Sequence, residues 1–254
     1  MLALLLAAAA CPADQVVSLD LKPWKASLLA DLPGSDEQHA EMAALRMKTV
    51  PQDNPSEADC YDKPAVEGVD IFEASLTGAR DKVVQVRFRM CKGTAQEWQS
   101  LRIAVLSPLS GNQFCLLGGE GLSVDRSVRN RACEDPGKLP MTLSFKEVSA
   151  KGHKVIETRD EQGSCADPRD RMSNVMLALY EAQGWSLRKI FETVLLDAHP
   201  TSSGARYLQR AEVTYVASPP KQVHVERCTG SARPCETEDY AYQKGRYVQL
   251  ERPQ

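Results

Sequence analysis

The chain has 254 residues, 43% of them hydrophobic, and this length allows one large domain or two small ones. The hydrophobic content is too high for a generally disordered chain, and the formal net charge of −3 comes from interspersed acids and bases. Nucleic-acid binding requires a basic surface, so we predict no nucleic-acid partner.

The first segment of the chain is short and apolar. Residues 2–10 are all leucine or alanine, which is too short a run for a membrane-spanning helix of about 20 residues. The end of this run, Ala8-Ala9-Ala10-Cys11, resembles the signal peptides of bacterial lipoproteins, in which small residues precede a cysteine that receives the lipid. The resemblance implies that residues 1–10 are a signal peptide, that Cys11 is lipidated and that the protein is anchored to a membrane.

An ordinary secretory signal is the alternative interpretation of this segment. Ala8 and Ala10 have the small-residue spacing at which such signals are cleaved, and cleavage there leaves Cys11 available for a disulfide. Under the lipoprotein interpretation, Pro12 stands where an inner-membrane retention signal has aspartate, so the family rule implies the outer membrane. We therefore expect the protein to be located in the cell envelope, anchored to the outer membrane on its periplasmic or surface face. The alternative is a soluble protein that is periplasmic or secreted.

Eight cysteines are spread along the chain. None forms a Cys-x-x-Cys pair and none has a histidine at the spacing of a zinc ligand, so we expect no metal site and no cofactor. Scattered cysteines in an exported chain predict disulfides. We expect the pairs Cys60–Cys91 and Cys115–Cys133 and leave Cys165 unassigned.

The segment 11–64 is predicted to contain a tether, a short helix and a loop. Ser35 and Gln38 have the spacing of a capping box, so we expect a helix that begins there and runs to Lys48. The prolines and turn-forming residues between 50 and 56 predict a long loop after it.

Residues 65–254 form the predicted β domain. Its hydrophobic pattern has a period of two, most clearly where Val84, Val86, Phe88 and Met90 share one face of a strand. About ten short apolar runs with turn residues between them predict a mainly β fold. We expect an antiparallel meander, either a sandwich or a twisted barrel-like sheet, beside the short N-terminal helix; the alternative is an α+β fold of two layers.

A hairpin between residues 171 and 196 is the element around which we expect the sheet to form. Its first strand is apolar on both faces, with Leu177 on one face and Met176 on the other. Such a strand must pack on both sides, so the hairpin should lie centrally. Gly184 falls in the predicted turn, and Arg188 on the second strand is expected in solvent.

Motifs for catalysis are weak in this sequence. The residues at 121–125 lack the second glycine of a nucleophile elbow, and each of the four histidines stands alone. The acidic residues between 160 and 171 alternate with arginines and predict a solvated loop rather than a calcium site. The glycines at 118–121 are not followed by a helix signal, so they predict no phosphate-binding loop.

The most specific local feature is the stretch between Cys228 and Cys235. These cysteines are expected to bond to each other, because Gly230 and Pro234 between them allow a tight loop. Arg233 in this loop is a candidate contact for a partner.

The leading functional hypothesis is a lipid-anchored envelope protein that binds or supports another component without catalysis. Its partners would be the membrane, through the lipid on Cys11, and another envelope protein. One alternative is a periplasmic hydrolase whose acid and base are carboxylates far apart in sequence. Another is a protease inhibitor that presents the loop carrying Arg233.

Overall fold

The structure is a computed structural model and describes residues 10–47, 63–91, 97–119, 122–127, 141–148, 152–164, 172–201, 206–216, 221–230 and 235–251. In these ranges a short 3-10 turn at Ala13–Gln15 precedes the strands and helices. The helices are α1 (Leu21–Ala30) and α2 (Asp36–Ala44). The strands are β1 (Val16–Ser18), β2 (Ala65–Ala74), β3 (Asp81–Met90), β4 (Trp98–Pro108), β5 (Gln113–Leu116), β6 (Gly118–Gly119), β7 (Leu122–Ser127), β8 (Met141–Lys146), β9 (Val155–Ser164), β10 (Met172–Gln183), β11 (Ser186–Pro200), β12 (Arg206–Val216), β13 (Gln222–Thr229), β14 (Glu236–Gln243) and β15 (Arg246–Gln249).

The strands form two sheets, and the fold is mainly β as predicted. The first sheet has the order β1-β5-β4-β3-β2, with β7 also paired to β4. The second runs in chain order from β8 to β15, which is the predicted meander, with β6 added in parallel against β11. The remaining pairs described in both sheets are antiparallel.

The second sheet bends back on itself between β11 and β12. These strands pair only over Leu196–Pro200 of β11, whereas β10 and β11 pair along almost their whole length. Strands β12–β15 therefore form a separate layer that covers β8–β11. Across the two layers the Tyr247 hydroxyl donates to the Val148 carbonyl at 2.8 Å, and the rings of Phe191 and Tyr240 meet edge to face at 5.0 Å.

The described residues form three hydrophobic clusters, which lie between the four layers that result. The first, between the helices and the first sheet, includes Trp24, Leu28, Met42, Val84, Val86, Phe88 and Met90. The second, between the first sheet and β8–β11, includes Leu76, Val83, Val105, Leu117, Leu122, Ile156, Ala182 and Leu187. The third, between β8–β11 and β12–β15, includes Val155, Leu177, Leu179, Phe191, Val223, Val225 and Tyr247.

The predicted hairpin is confirmed and is central. Leu177 is completely buried in the third cluster, while Tyr180 of the same strand packs against the second, so β10 is covered on both faces. Gly184 sits in the two-residue turn with a φ of 63°, a left-handed value that favours glycine. Arg188 is exposed, as expected.

The start of the helix predicted at Ser35 is confirmed, with the Ser35 side chain accepting from the Gln38 amide at 3.1 Å, but the helix ends at Ala44 and not at Lys48. A second helix, α1, was not predicted. It is capped by Asp20, whose carboxylate accepts from the Lys22 amide at 3.2 Å. The indole of Trp24 donates to the carbonyl of Glu41 at 3.0 Å and joins α1 to α2.

The N-terminal segment is part of the first sheet. Strand β1 pairs with β5, with Val16 opposite Cys115, and a disulfide joins Cys11 to Cys115. The expected tether is therefore held by strand pairing and by a covalent bond.

The acidic stretch expected to be a loop from Asp160 is partly strand. Strand β9 continues to Ser164, with Asp160 opposite Met176 and Gly163 opposite Ser173 on β10. Pairing along a long central neighbour overrides the polar composition of this segment. Residues 165–171 lie outside the described residues.

Candidate functional site

Strand β12 has an unpaired edge beside β11. Within the part of the chain that the structure describes, residues Ala211 to Val216 pair with β13 on one side only, because the pairing of β12 with β11 stops at Arg210 opposite Leu196. The facing edge of β11, from Arg188 to Leu195, pairs with β10 and with no second strand among the described residues. Unpaired strand edges present backbone N–H and C=O groups that are free to pair with another chain.

Arg227 on β13 fills part of the gap between the two edges. Its guanidinium donates to the Val194 carbonyl and to the Thr193 hydroxyl, each at 3.1 Å. It also donates to the Glu238 carboxylate at 3.3 Å. The backbone edge of β11 thus already accepts a hydrogen bond from a side chain of the opposite layer.

A cavity of about 910 Å³ runs along the edge of β12, and we call it the edge cavity. Its described lining residues are Arg159, Leu195, Arg210, Ala211, Glu212, Val213, Glu226, Cys228 and Cys235. Four of them, Arg210–Val213, are consecutive on β12. Consecutive strand residues point to opposite faces, so a cavity lined by all four must follow the edge of the strand and not one face of it.

Both signs of charge line the edge cavity. Glu212 and Glu226 are exposed and lie directly opposite each other on β12 and β13, an arrangement in which like charges repel. Arg210 is two register positions from this pair, on the same outer face, and lies opposite Cys228. Arg159, from β9, is half exposed. The cavity can therefore contact a ligand that carries positive and negative groups along its length.

The predicted bond between Cys228 and Cys235 is confirmed and forms one wall of the edge cavity. It joins β13 to β14 with a Cα–Cα distance of 4.5 Å. The Glu226 carboxylate and both sulfurs lie within 4.8 Å of one another. Cysteine binds a metal as the thiolate, so while the disulfide is intact these two sulfurs do not supply ligands.

Two buried glutamates connect the layers of the second sheet. Glu157 on β9 is 2% exposed and accepts from the hydroxyl of Tyr215 on β12, and from Ser144 at 3.1 Å. Burial raises the pKa of the Tyr215 hydroxyl, and its hydrogen bond to the Glu157 carboxylate raises that pKa further.

Glu181 on β10 is 1% exposed and is bonded in the same way by Tyr242 of β14. Burial, followed by the hydrogen bond to Glu181, raises the pKa of Tyr242. Gln183 adds hydrogen bonds to Glu181 at 3.2 Å and to the Gly245 carbonyl at 2.8 Å. Both carboxylates accept hydrogen bonds from the facing layer, so these pairs hold the layers together.

Two histidines that stand alone in the sequence have a carboxylate partner in space. His224 Nδ1 lies 2.6 Å from Asp239 Oδ1, and His199 Nδ1 lies 3.2 Å from Asp197 Oδ1. Thr214 lies opposite His224 on β12, but among the described residues no hydrogen bond joins the two. In each pair the carboxylate can orient the imidazole.

The structure contradicts two of the cysteine predictions. Cys115 is bonded to Cys11, so the predicted pair Cys115–Cys133 is wrong. A sulfur in a disulfide cannot also form the thioether of a lipid anchor, so the lipidation expected at Cys11 is wrong as well. The physical reason is that β1 pairs with β5 and brings position 11 to Cys115, an arrangement that the local motif does not encode.

Other predictions fall on residues outside the described ranges. Cys91 is in a disulfide, but Cys60 is not described, so their pairing stays a prediction. The same holds for Cys133 and Cys165, and for Arg233 and the inhibitor hypothesis that rests on it. Residues 1–9 of the leader are also outside.

Among the described residues, no helix has the length and apolar content needed to cross a membrane.

A scan against protein-family models, a search of curated proteins and a search of solved structures returned no match for this chain.

Sequence reasoning missed the residues that border the edge cavity. Glu212, Glu226 and Arg210 are ordinary polar positions of alternating strands, and the cavity exists only because β11 and β12 diverge. For one of the buried glutamates, the sequence does contain a weak signal of burial. Glu181 follows Leu177 and Leu179 at a spacing of two, so alternation places it on the inner face of β10.

Proposed function

We propose that the protein is an exported binding module that acts without catalysis, and that the edge cavity is its binding surface. The observation that carries this proposal is a cavity of about 910 Å³ along an unpaired strand edge. Ligand sites typically enclose about 300–1,000 Å³ and combine apolar walls with a few placed polar groups. Leu195, Ala211 and Val213 supply the apolar wall, and two arginines and two glutamates supply the charges.

Export is supported by the disulfides. Cys11–Cys115 and Cys228–Cys235 both close within the described residues, and such bonds form and persist in oxidising compartments. We therefore propose that the protein acts in the periplasm or outside the cell, with another envelope protein as its partner. The anchoring route through Cys11 is not part of this proposal, because its sulfur is in a disulfide.

The arrangement of carboxylates favours binding over hydrolysis. Two buried carboxylates, Glu157 and Glu181, each accept a hydrogen bond from a tyrosine hydroxyl of the facing layer. A general acid or base must reach the proton that it transfers, within hydrogen-bond distance of the substrate. These two groups are instead committed to structure.

A photocrosslinking experiment tests the proposal. The full chain is expressed in its native envelope with a photoreactive amino acid in place of Glu212, which lines the edge cavity. The control carries the same group in place of Glu37, which is exposed on α2 at the far end of the layer stack. We expect a discrete crosslinked species from position 212 and none from position 37. Identical crosslinking patterns from the two positions would contradict a binding role for the cavity.

A second candidate function is hydrolysis by a carboxylate pair in the edge cavity. One observation favours it: Glu212 and Glu226 are directly opposed and exposed, as an acid and a base acting on one bond could be. The purified protein is assayed against chromogenic esters and glycosides, together with Glu212→Gln and Glu226→Gln. Turnover that disappears in both variants supports this candidate, and turnover that survives in both removes it.

A further inference from the structure

We propose that the ligand of the edge cavity is an extended peptide segment of a partner protein, which adds a strand to the unpaired edge of β12. This inference rests on the proposed function, because it takes the edge cavity to be the binding surface. It goes further by naming the chemical class of the ligand and the way in which it is held.

The edge of β12 offers the main chain of an incoming peptide a ladder of partners. The six residues from Ala211 to Val216 pair with β13 on one side, and no described residue pairs with them on the other. In an antiparallel ladder, alternate residues direct both their N–H and C=O groups to one side. Strand addition uses this unpaired row, and a peptide backbone is the ligand whose donors and acceptors repeat with the same period.

The side chains along the same edge define what the peptide should carry. Ala211 and Val213 pack against the third cluster, and Leu195 of β11 lies across the cavity from them. Arg210 and Glu212 lie on the other face of β12. A bound strand has the same alternation, so its apolar residues would face the interior and its charged residues would face outward.

The charges on the outer face of β12 and β13 determine which charged residues the bound peptide should carry. Going along the outer face, Arg210 is followed by the opposed pair Glu212 and Glu226. A peptide with an acidic residue and a basic residue two positions apart would satisfy both and would relieve the repulsion between the two glutamates. The ligand class is therefore an extended peptide with alternating apolar and charged residues, the charges being of opposite sign.

The edge of β11 that faces this gap already accepts a hydrogen bond from a side chain. The Val194 carbonyl there accepts a hydrogen bond from Arg227 at 3.1 Å, and the same guanidinium is tied to Glu238. This side chain therefore occupies part of the gap on the β11 side. The incoming strand would accordingly pair with β12 and not with β11.

The test uses random linear peptides displayed on phage and selected on the full, oxidised protein. Selected peptides are synthesised, and their affinities are measured for wild type, Ala211→Lys and the control Ala26→Lys. Ala211 lines the edge cavity, whereas Ala26 is exposed on α1. Urea titration of both variants verifies that each is folded. We expect Ala211→Lys to abolish binding and Ala26→Lys to leave it unchanged.

N-methylation of the peptide backbone separates strand addition from other modes of binding. Methylating one amide at a time should weaken binding about tenfold at every second residue and little at the residues between, because only alternate N–H groups point to β12. Affinity losses without this period of two would overturn strand addition while leaving the edge cavity as a binding surface. If selection yields no peptide that depends on Ala211, the peptide ligand is wrong, and crosslinking at Glu212 then decides the proposed function separately.

Discussion

At the scale of single residues, the tyrosine–glutamate pairs determine how the layers of the second sheet face each other. Glu157 and Glu181 come from the layer β8–β11, and their donors Tyr215 and Tyr242 come from β12 and β14. A buried carboxylate without hydrogen-bond partners is costly. The two pairs therefore favour the one alignment of the layers in which each hydroxyl meets its carboxylate.

Replacing Tyr242 by Phe should lower the free energy of unfolding by about 1–3 kcal/mol, because it removes a donor from a buried carboxylate. Tyr215→Phe should behave in the same way. Urea titrations measure both changes. Tyr207→Phe is the matched control, since its ring stacks on His199 at 4.8 Å and its hydroxyl has no described partner. An equal loss in the control would mean that the hydroxyls of Tyr215 and Tyr242 have no special role.

The free energy of unfolding should fall in alkaline solution because the pKa values of several tyrosine hydroxyls are raised in the folded protein. Burial, assisted by the charge of Glu181, raises the pKa of Tyr247 to about 12, and the pKa values of Tyr215 and Tyr242 are also raised. Below about pH 10 these hydroxyls are protonated in both states and their contribution is complete. Above it the unfolded chain loses protons first, so the free energy of unfolding decreases as pH rises toward the folded pKa.

Urea titrations at pH values between about 9 and 11 test this dependence. Tyr247→Phe removes one of the groups whose pKa is raised, so its stability should decline less steeply with pH than that of wild type. If the free energy of unfolding declines with pH at the same rate in both proteins, Tyr247 does not contribute to the pH dependence of stability.

At the scale of elements, the sequence pattern predicts where buried strands occur, but it does not predict where two neighbouring strands stop pairing and diverge. Alternation at Val84 to Met90 and two-sided apolar character around Leu177 identify buried strands, because those side chains must face a core. The divergence of β11 and β12 depends on where pairing stops, and Leu196 and Arg210 carry no local signal for it. The edge cavity could not be predicted for that reason.

The central position of the hairpin leads to a prediction for Leu177→Ala. Leu177 is completely buried between β8–β11 and β12–β15, so its truncation removes burial and leaves a cavity at a cost of about 2–5 kcal/mol. Arg188→Ala on the partner strand is the control. Arg188 is exposed, and its loss should change stability by less than about 0.5 kcal/mol. Equal urea midpoints for Leu177→Ala and wild type would contradict the central packing of β10.

At the scale of the whole molecule, the N-terminal segment is joined to the first sheet by contacts that are distant in sequence. Cys11 resembles a lipid-attachment cysteine when only its neighbours are considered, because the motif covers a few residues. Its partner Cys115 is 104 residues away, and the pairing of β1 with β5 is what brings them together. Local motifs cannot report such a contact, and this is why the prediction for Cys11 failed while that for Cys228 and Cys235 held.

The two disulfides whose cysteines are both among the described residues should consequently differ in their contribution to stability. A crosslink stabilises mainly by restricting the unfolded chain, and its effect grows with the length of the loop that it closes. For the separation of 104 residues in Cys11–Cys115 the expected stabilisation is about 5 kcal/mol, against about 2 kcal/mol for the separation of 7 residues in Cys228–Cys235. Cys11→Ser with Cys115→Ser should therefore lower the urea midpoint more than Cys228→Ser with Cys235→Ser. Replacing both cysteines of a pair avoids a free thiol. A larger loss from the short loop would mean that native contacts at the edge cavity, and not restriction of the unfolded chain, determine what these bonds contribute.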